Sequence, residues 1–242
     1  MAGIFYRPYL LLLIFTGVNP MRGIGKTPEE ILAAYIPMDA VEHVSGLIRH
    51  HGIQLIITGR RASRLGDFRP ARGKNPHRIK VNGTLNVYEF LLVFLHELAH
   101  LVVYEQYGRS VLPHGREWKQ AYGALVRQAV KQKLFHPSIS NLLLDYSHKV
   151  KASGVAGLEV AKVLRNFDKQ ESATDWHFLD EIDENGVFQT ESGRLFRKEE
   201  KIKTRYRCLC LTTRRRYLVH QSAKVISHPE YIQSMQNEPS KQ

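Results

Sequence analysis

Cysteine is scarce in this sequence. Its two cysteines, Cys208 and Cys210, are too few for a disulfide framework, and their spacing is one residue short of the CxxC pair that zinc ribbons use. The chain therefore fits a reducing compartment, and we expect it in the cytoplasm.

The N-terminal region lacks an apolar run that could cross a membrane. The run over residues 9–15 has seven residues, whereas a membrane-spanning helix needs about 20. Arg7 precedes it, as in a signal sequence, but no small-x-small cleavage pattern follows before Pro20. We expect no membrane partner and interpret residues 1–26 as an extension that does not conform to the fold, with Met21 as an alternative start.

Acidic residues are outnumbered by basic ones. The 242 residues include 35 Lys and Arg but 23 Asp and Glu, which gives a formal net charge of +12. This balance favours contact with polyanions such as nucleic acid. A well-solvated basic surface explains the charge about as well, so charge alone does not identify a partner.

Folding signals begin at Thr27, where a capping box predicts the start of the first helix. A second helix is predicted over residues 39–52. Strands are predicted at 54–58 and 78–82, joined by a Gly-, Pro- and Arg-rich loop, and the alternation of the second strand is typical of an edge strand.

A long apolar helix is predicted from about residue 87 to 106. Helices that are apolar nearly all round belong to a protein core. Gly108 is expected to end this helix, and the segment around His114 leads into an amphipathic helix that contains Trp118. These elements are assigned to one domain, residues 27–150.

The remaining chain has weaker signals. Residues 151–185 are interpreted as a linker with some helix. Strand-like patterns at 187–188, 203–211 and 216–220 then predict a small basic β unit, 186–232, followed by a tail, 233–242.

Three polar residues, His96, Glu97 and His100, interrupt the apolar helix in the pattern HExxH. Two histidines four residues apart lie on one helical face and can bind a single zinc ion. Glu97 then flanks the metal-bound water as general base and later returns its proton to the leaving amine. The alternative is a pair of core histidines satisfied by hydrogen bonds, but burying all three groups without a metal would be costly.

A zinc site of this kind needs a third protein ligand. The metzincin pattern HExxHxxGxxH fails, because Val103 and Gln106 occupy the required Gly and His positions. His114 and Glu117 are the nearby candidates. We favour His114, because it lies at a helix entrance where the chain can turn back, whereas Glu117 fits an ordinary first-turn acid.

The segment HELAHLVVYEQYGRSVLPHGREWK resembles the core of the SprT-like metallopeptidases, through HExxH, YGR, HGxEW and the preceding KVNGTLN. The resemblance covers roughly residues 27–133. It implies His96, His100 and His114 as Zn²⁺ ligands, Glu97 as the catalytic base, and an α+β fold of the minimal zincin type. In that fold a small sheet packs on the active helix and its edge strand can pair with a substrate. Residues 79–82 are the predicted candidate for that edge, and a plain structural strand is an equally good explanation of their pattern.

The resemblance also bears on substrates. Eukaryotic relatives, the Spartan proteins, degrade proteins crosslinked to DNA, so a protein substrate near DNA is expected. Many relatives carry a C-terminal zinc ribbon with paired CxxC motifs, which Cys208 and Cys210 do not supply. A hairpin there would be held by packing rather than by metal.

The stretch between Arg194 and Arg216 contains ten Lys or Arg against two Glu, with Phe196 and Tyr206 interleaved and Tyr217 following. Basic side chains bind phosphates and aromatic rings stack on exposed bases, so single-stranded DNA would suit this stretch. A solvated strand face is an equally good explanation.

The sequence therefore predicts a monomeric zinc-dependent endopeptidase that acts near DNA. Two alternatives stay open: a nucleic-acid-binding regulatory protein with a structural or degenerate zinc site, and a metallohydrolase that acts on another bond. An intact Glu97 argues against the first, because a purely structural site needs a fourth ligand and no base.

Overall fold

The chain divides into two compact units, residues 1–168 and 169–242. The structure, a computed structural model, describes residues 14–16, 27–59, 64–150, 156–168 and 176–230. The alternative start at Met21 and the tail 233–242 lie outside these residues. Helices and strands occur together, in agreement with the predicted α+β class.

The first unit combines helices with a small sheet. Thr27 caps the first helix as predicted: its hydroxyl accepts the Glu30 backbone N–H, and the Glu30 carboxylate accepts the Thr27 N–H. The elements in order are β1 (Ile14–Thr16), α1 (Pro28–Leu32), α2 (Val41–His50), β2 (Ile53–Thr58), β3 (Gly66–Arg69), β4 (His77–Asn82), α3 (Val87–Tyr107), α4 (Arg116–Lys131), α5 (Pro137–His148) and α6 (Leu158–Leu164).

The four strands form one mixed sheet in the order β1-β2-β4-β3. β1 and β4 run parallel to β2, whereas β3 runs antiparallel to β4. The prediction that residues 79–82 form the edge is therefore wrong, because β3 pairs with that side of β4. β3 comes from the Gly- and Arg-rich loop, whose composition does not signal a strand. β1 comes from the N-terminal extension.

α3 is the core helix of the first unit. It packs against β3 and β4 of the sheet and against α4. By length and composition it could cross a membrane, but eleven of its residues, including Glu97, are buried in this unit. Gly108 follows its last turn, as predicted.

The second unit is an antiparallel sheet in the order β5-β10-β6-β7-β8-β9. Its strands are β5 (Trp176–Phe178), β6 (Val187–Thr190), β7 (Leu195–Ile202), β8 (Arg205–Cys210), β9 (Arg216–His220) and β10 (Lys224–Ser227). The predicted linker, residues 151–185, contains regular structure. Its helix α6 belongs to the first unit, whereas its strand β5 and the buried Leu179 belong to the second.

The second unit has a hydrophobic cluster of its own. Cys208 and Cys210 are free thiols on one face of β8 and are buried in one hydrophobic cluster. Within the described part of this unit, no group of ligand side chains is arranged to hold a metal. Lys198 is also buried; its ammonium donates to the backbone carbonyls of Asp180 and Ile182 and lies 4.0 Å from the Tyr206 ring centroid.

Candidate metal centre

α3 presents His96 and His100 one turn apart, on the face that α4 approaches. The chain then reverses at Gly108, which has a φ of 63°, and returns through a loop to α4. His114 lies at the end of this loop with a φ of 58°. This left-handed conformation is uncommon for a residue other than glycine. It turns the third imidazole back towards the other two.

The Nε2 atoms of the three histidines converge. His114 Nε2 lies 3.1 Å from His96 Nε2 and 3.0 Å from His100 Nε2, and all three atoms lie within 4.8 Å of one another. Nitrogen ligands bound to a tetrahedral zinc at about 2.0–2.1 Å are separated by about 3.3–3.4 Å. The three positions could therefore hold a single metal ion.

Hydrogen bonding alone does not account for this cluster. An imidazole nitrogen carries either one proton or one lone pair, so His114 Nε2 cannot make a good hydrogen bond to both of its neighbours. A cation between the rings would accept all three lone pairs. Glu117, the alternative third ligand, is not part of the cluster.

The protonation of the histidines also suits a metal. Burial, followed by the charges of His100 and His114, lowers the pKa of His96 to about 3. Burial, followed by the charge of His114, lowers the pKa of His100 to about 4, and burial lowers the pKa of His114. The imidazoles are therefore neutral near pH 7, which is the form that binds metals.

Trp118 packs against all three imidazoles. Its ring centroid lies 4.6 Å from that of His96, 5.3 Å from that of His100 and 4.5 Å from that of His114. Its indole N–H donates to the His96 backbone carbonyl at 3.4 Å. The Nδ1 atom of His96 is buried and has no hydrogen-bond partner among the described residues. Ring packing against Trp118 therefore orients this imidazole.

Glu97 lies under the edge strand. Its side chain is buried, and β3 passes directly over it at Gly66. A Cβ atom on Gly66 would lie 2.8 Å from Glu97 Oε1 and 2.7 Å from Val93 Cγ1. Only glycine permits so close an approach of the strand. Sequence analysis missed Gly66, because it belongs to a glycine-rich loop in which no single glycine stands out.

A groove of about 530 Å³ joins these features. β3 forms one wall and the loop after α3 forms the other, with the three histidines and Glu97 between them. Tyr104 and Arg109, whose orientation the sequence leaves open, both line the groove, whereas the exposed Tyr107 does not. The Tyr104 and Phe68 rings lie 6.1 Å apart at one side.

Comparison with known proteins identifies this region. Residues 40–137 match the model of the SprT-like family, which confirms the resemblance inferred from the HExxH and HGxEW motifs. The matched residues run from the start of α2 to the start of α5 and include every residue of the candidate metal centre. Comparisons with curated proteins and with solved structures give no match.

Proposed function

Residues 40–137 form a SprT-like region, and on that premise we propose that the protein is a zinc-dependent endopeptidase of the minimal zincin type. One observation carries the proposal: three imidazole Nε2 atoms converge beside the buried Glu97, in a groove bordered by a sheet edge. SprT-like proteins are metallopeptidases by type, and this geometry is what such chemistry requires.

The donor set favours zinc. Imidazole nitrogen suits zinc better than the hard cations magnesium and calcium, which prefer oxygen. His96, His100 and His114 would supply three ligands. A catalytic zinc site has three protein ligands and one position for water or substrate, whereas a structural site is closed by four. The described residues offer three ligands in this cluster, which favours catalysis over a structural role.

Glu97 would act as the general base and then as the acid. Bound zinc would supply Lewis acidity to the scissile carbonyl and lower the pKa of a water molecule. The Glu97 carboxylate accepts a proton from the attacking water as the new C–O bond forms. It then donates this proton to the amide nitrogen as the C–N bond breaks, which releases an amine and a carboxylic acid. The close approach of the strand at Gly66 would limit the movement of the Glu97 side chain.

Substrate would bind along β3. This strand pairs with β4 on one side and has no strand partner on its other side in the described part of the chain. An extended peptide can add to such an edge through main-chain hydrogen bonds. Its scissile bond would then lie in the groove, between Gly66 and the three histidines.

The natural substrates are proposed to be proteins bound to nucleic acid in the cytoplasm, cut by a monomeric enzyme. The stretch from Arg194 to Arg216 supports this only in part. Phe196 and Tyr206 are buried, so they are not available for stacking on bases. Tyr217 is partly exposed, and the Arg194 guanidinium lies 5.7 Å from its ring centroid. Base stacking by the two buried rings is therefore excluded, and several cations of the stretch are already paired with carboxylates.

The test measures bound zinc and cleavage of an unfolded protein in parallel. Wild type should bind one zinc per chain and cleave casein. His114→Ala should lose most of its zinc and its activity, whereas Glu97→Gln should keep zinc and lose activity. A Glu97→Gln protein that still cleaves would disprove the assigned base. A wild type that binds no zinc would favour the alternative, a nucleic-acid-binding regulatory protein with a degenerate site.

A further inference from the structure

A second groove in the first unit has a strongly basic lining. It has a volume of about 660 Å³ and lies between α4 and the C-terminal end of α5. Its lining contains four Lys or Arg residues, one histidine and no carboxylate. The lining residues are Gly115, Arg116, Lys119, Gln120, Arg127, Ser147, His148, Lys149 and Val150.

Close helix packing builds one end of this groove. A Cβ atom on Gly123 would lie 2.5 Å from the Ser147 carbonyl oxygen, so only glycine lets α4 approach α5 this closely. Arg127 reaches across the contact, and its Nη1 donates to the same carbonyl at 3.1 Å. The Arg127 guanidinium is thereby held in place before any ligand arrives.

Three of the four Lys and Arg side chains in the groove are not paired with a carboxylate of a described residue. In the described part of the chain, Arg116, Lys119 and Lys149 form no ion pair. Glu117 is adjacent in sequence but does not line the groove. Clustered like charges repel one another, and a bound polyanion would relieve that repulsion.

We propose that this groove binds the sugar-phosphate backbone of nucleic acid. Its cations follow α4 from Arg116 to Arg127, a distance of about 16 Å at about 1.5 Å per residue. That length matches about five phosphates of one strand in B-form DNA, at about 3.4 Å each. No Phe, Tyr or Trp lines the groove, so it holds the backbone without stacking on bases and without sequence preference.

The position of the groove connects nucleic acid with the metal centre. One end is Gly115, the residue after His114. A nucleic acid in the groove would therefore place proteins attached to it beside the metal centre. The inference deepens the proposed function and rests on its nucleic-acid part, but not on peptidase activity.

The experiment measures binding of a fluorescent oligonucleotide to the full chain between 0.05 and 1 M salt, chosen to span the range over which phosphate contacts weaken. The double variant Lys119→Gln with Lys149→Gln removes two groove charges. The control, Lys74→Gln with Lys133→Gln, removes two exposed charges of the same unit outside the groove. Zinc content and thermal unfolding check that both variants are folded.

Each lost phosphate contact should reduce the slope of log K against log salt by about 0.7 to 0.9. The groove variant should therefore show a slope smaller by about 1.4 to 1.8, and binding at 0.1 M salt about 25- to 60-fold weaker. The control should match wild type, and Lys119→Arg with Lys149→Arg should restore binding. Equal slopes in the groove variant and the control would overturn the proposal. So would loss of poly-glutamate binding with unchanged oligonucleotide binding, which would assign the groove to acidic protein segments.

Binding and cleavage fail separately in this design. If Glu97→Gln still cleaves but the groove variant loses oligonucleotide affinity, the peptidase mechanism is wrong and the groove assignment stands. If casein cleavage depends on Glu97 and zinc while the groove variant binds normally, the groove assignment is wrong and the peptidase stands.

Discussion

Substitution of Gly66 by alanine tests whether the edge strand fixes the Glu97 carboxylate, the proposed general base. The new methyl group would lie 2.7 Å from Val93 Cγ1, 2.8 Å from Glu97 Oε1 and 2.9 Å from Glu97 Cγ. Carbon atoms in contact are about 3.5–4.0 Å apart, so an overlap of roughly 1 Å must be relieved. Val93 is 1% exposed and has little room to move. The strand and the Glu97 side chain must therefore separate.

We expect Gly66→Ala to keep its zinc, because the three atoms nearest to the methyl group belong to Val93 and Glu97 and not to a histidine. Overpacking should cost about 1–3 kcal/mol of unfolding free energy. A displacement of about 1 Å at a catalytic group can lower the rate about 100-fold, so kcat for a peptide substrate should fall by one to two orders of magnitude. Zinc analysis, thermal unfolding and steady-state kinetics measure the three effects.

Gly46→Ala is the matched control. Gly46 lies inside α2, and nothing lies within 4 Å of an added Cβ atom. Alanine there should stabilise the helix by up to about 1 kcal/mol and leave kcat unchanged. A Gly66→Ala protein with wild-type kcat would refute the reasoning, because it would mean that the Glu97 carboxylate does not depend on the strand.

Three further predictions concern the metal and the second unit. Trp118→Phe removes the indole N–H and part of the surface that packs on the imidazoles, so zinc affinity should fall about 10- to 100-fold in a chelator competition. Lys198→Ala removes the donor to the Asp180 and Ile182 carbonyls together with a buried side chain and should cost about 1–3 kcal/mol of unfolding free energy, whereas Lys198→Met, which fills the same space, should cost less in the same melt. Removing the metal with a chelator should abolish cleavage reversibly. Free zinc at about 1,000 times its Kd should stabilise the protein by about 4 kcal/mol against unfolding.

The first two histidines of the candidate metal centre could be predicted to lie together because their spacing has a direct geometric meaning. His96 and His100 share a helical face whatever surrounds that helix. The third position was harder, since His114 reaches the other two only through a reversal at Gly108 and its own left-handed backbone. The position of His114 at a helix entrance favoured it over Glu117, and the resemblance to SprT-like proteins implied the same ligand.

The edge strand could not be predicted, because its signal is tertiary. β3 has the sequence Gly-Asp-Phe-Arg, with little β propensity, and it forms by pairing with β4 and packing on α3. Residues 78–82 do form a strand, as their alternation predicts, but the alternation does not indicate which strand lies at the edge of the sheet. Similarly, periodicity predicts that Trp118 is buried, yet not that it is buried against three imidazoles.

The origin of the three histidines has a mechanical consequence. Two belong to one rigid helix, whereas His114 belongs to the loop that forms a wall of the groove. A bound metal would tie that loop to α3 and close the chain segment of thirteen residues between His100 and His114. The ion would therefore stabilise one wall of the groove in addition to taking part in the chemistry. A peptide that binds in the groove and stabilises the same position of this loop would also increase the affinity for the metal. The reason is that the peptide and the metal ion would then favour the same conformation.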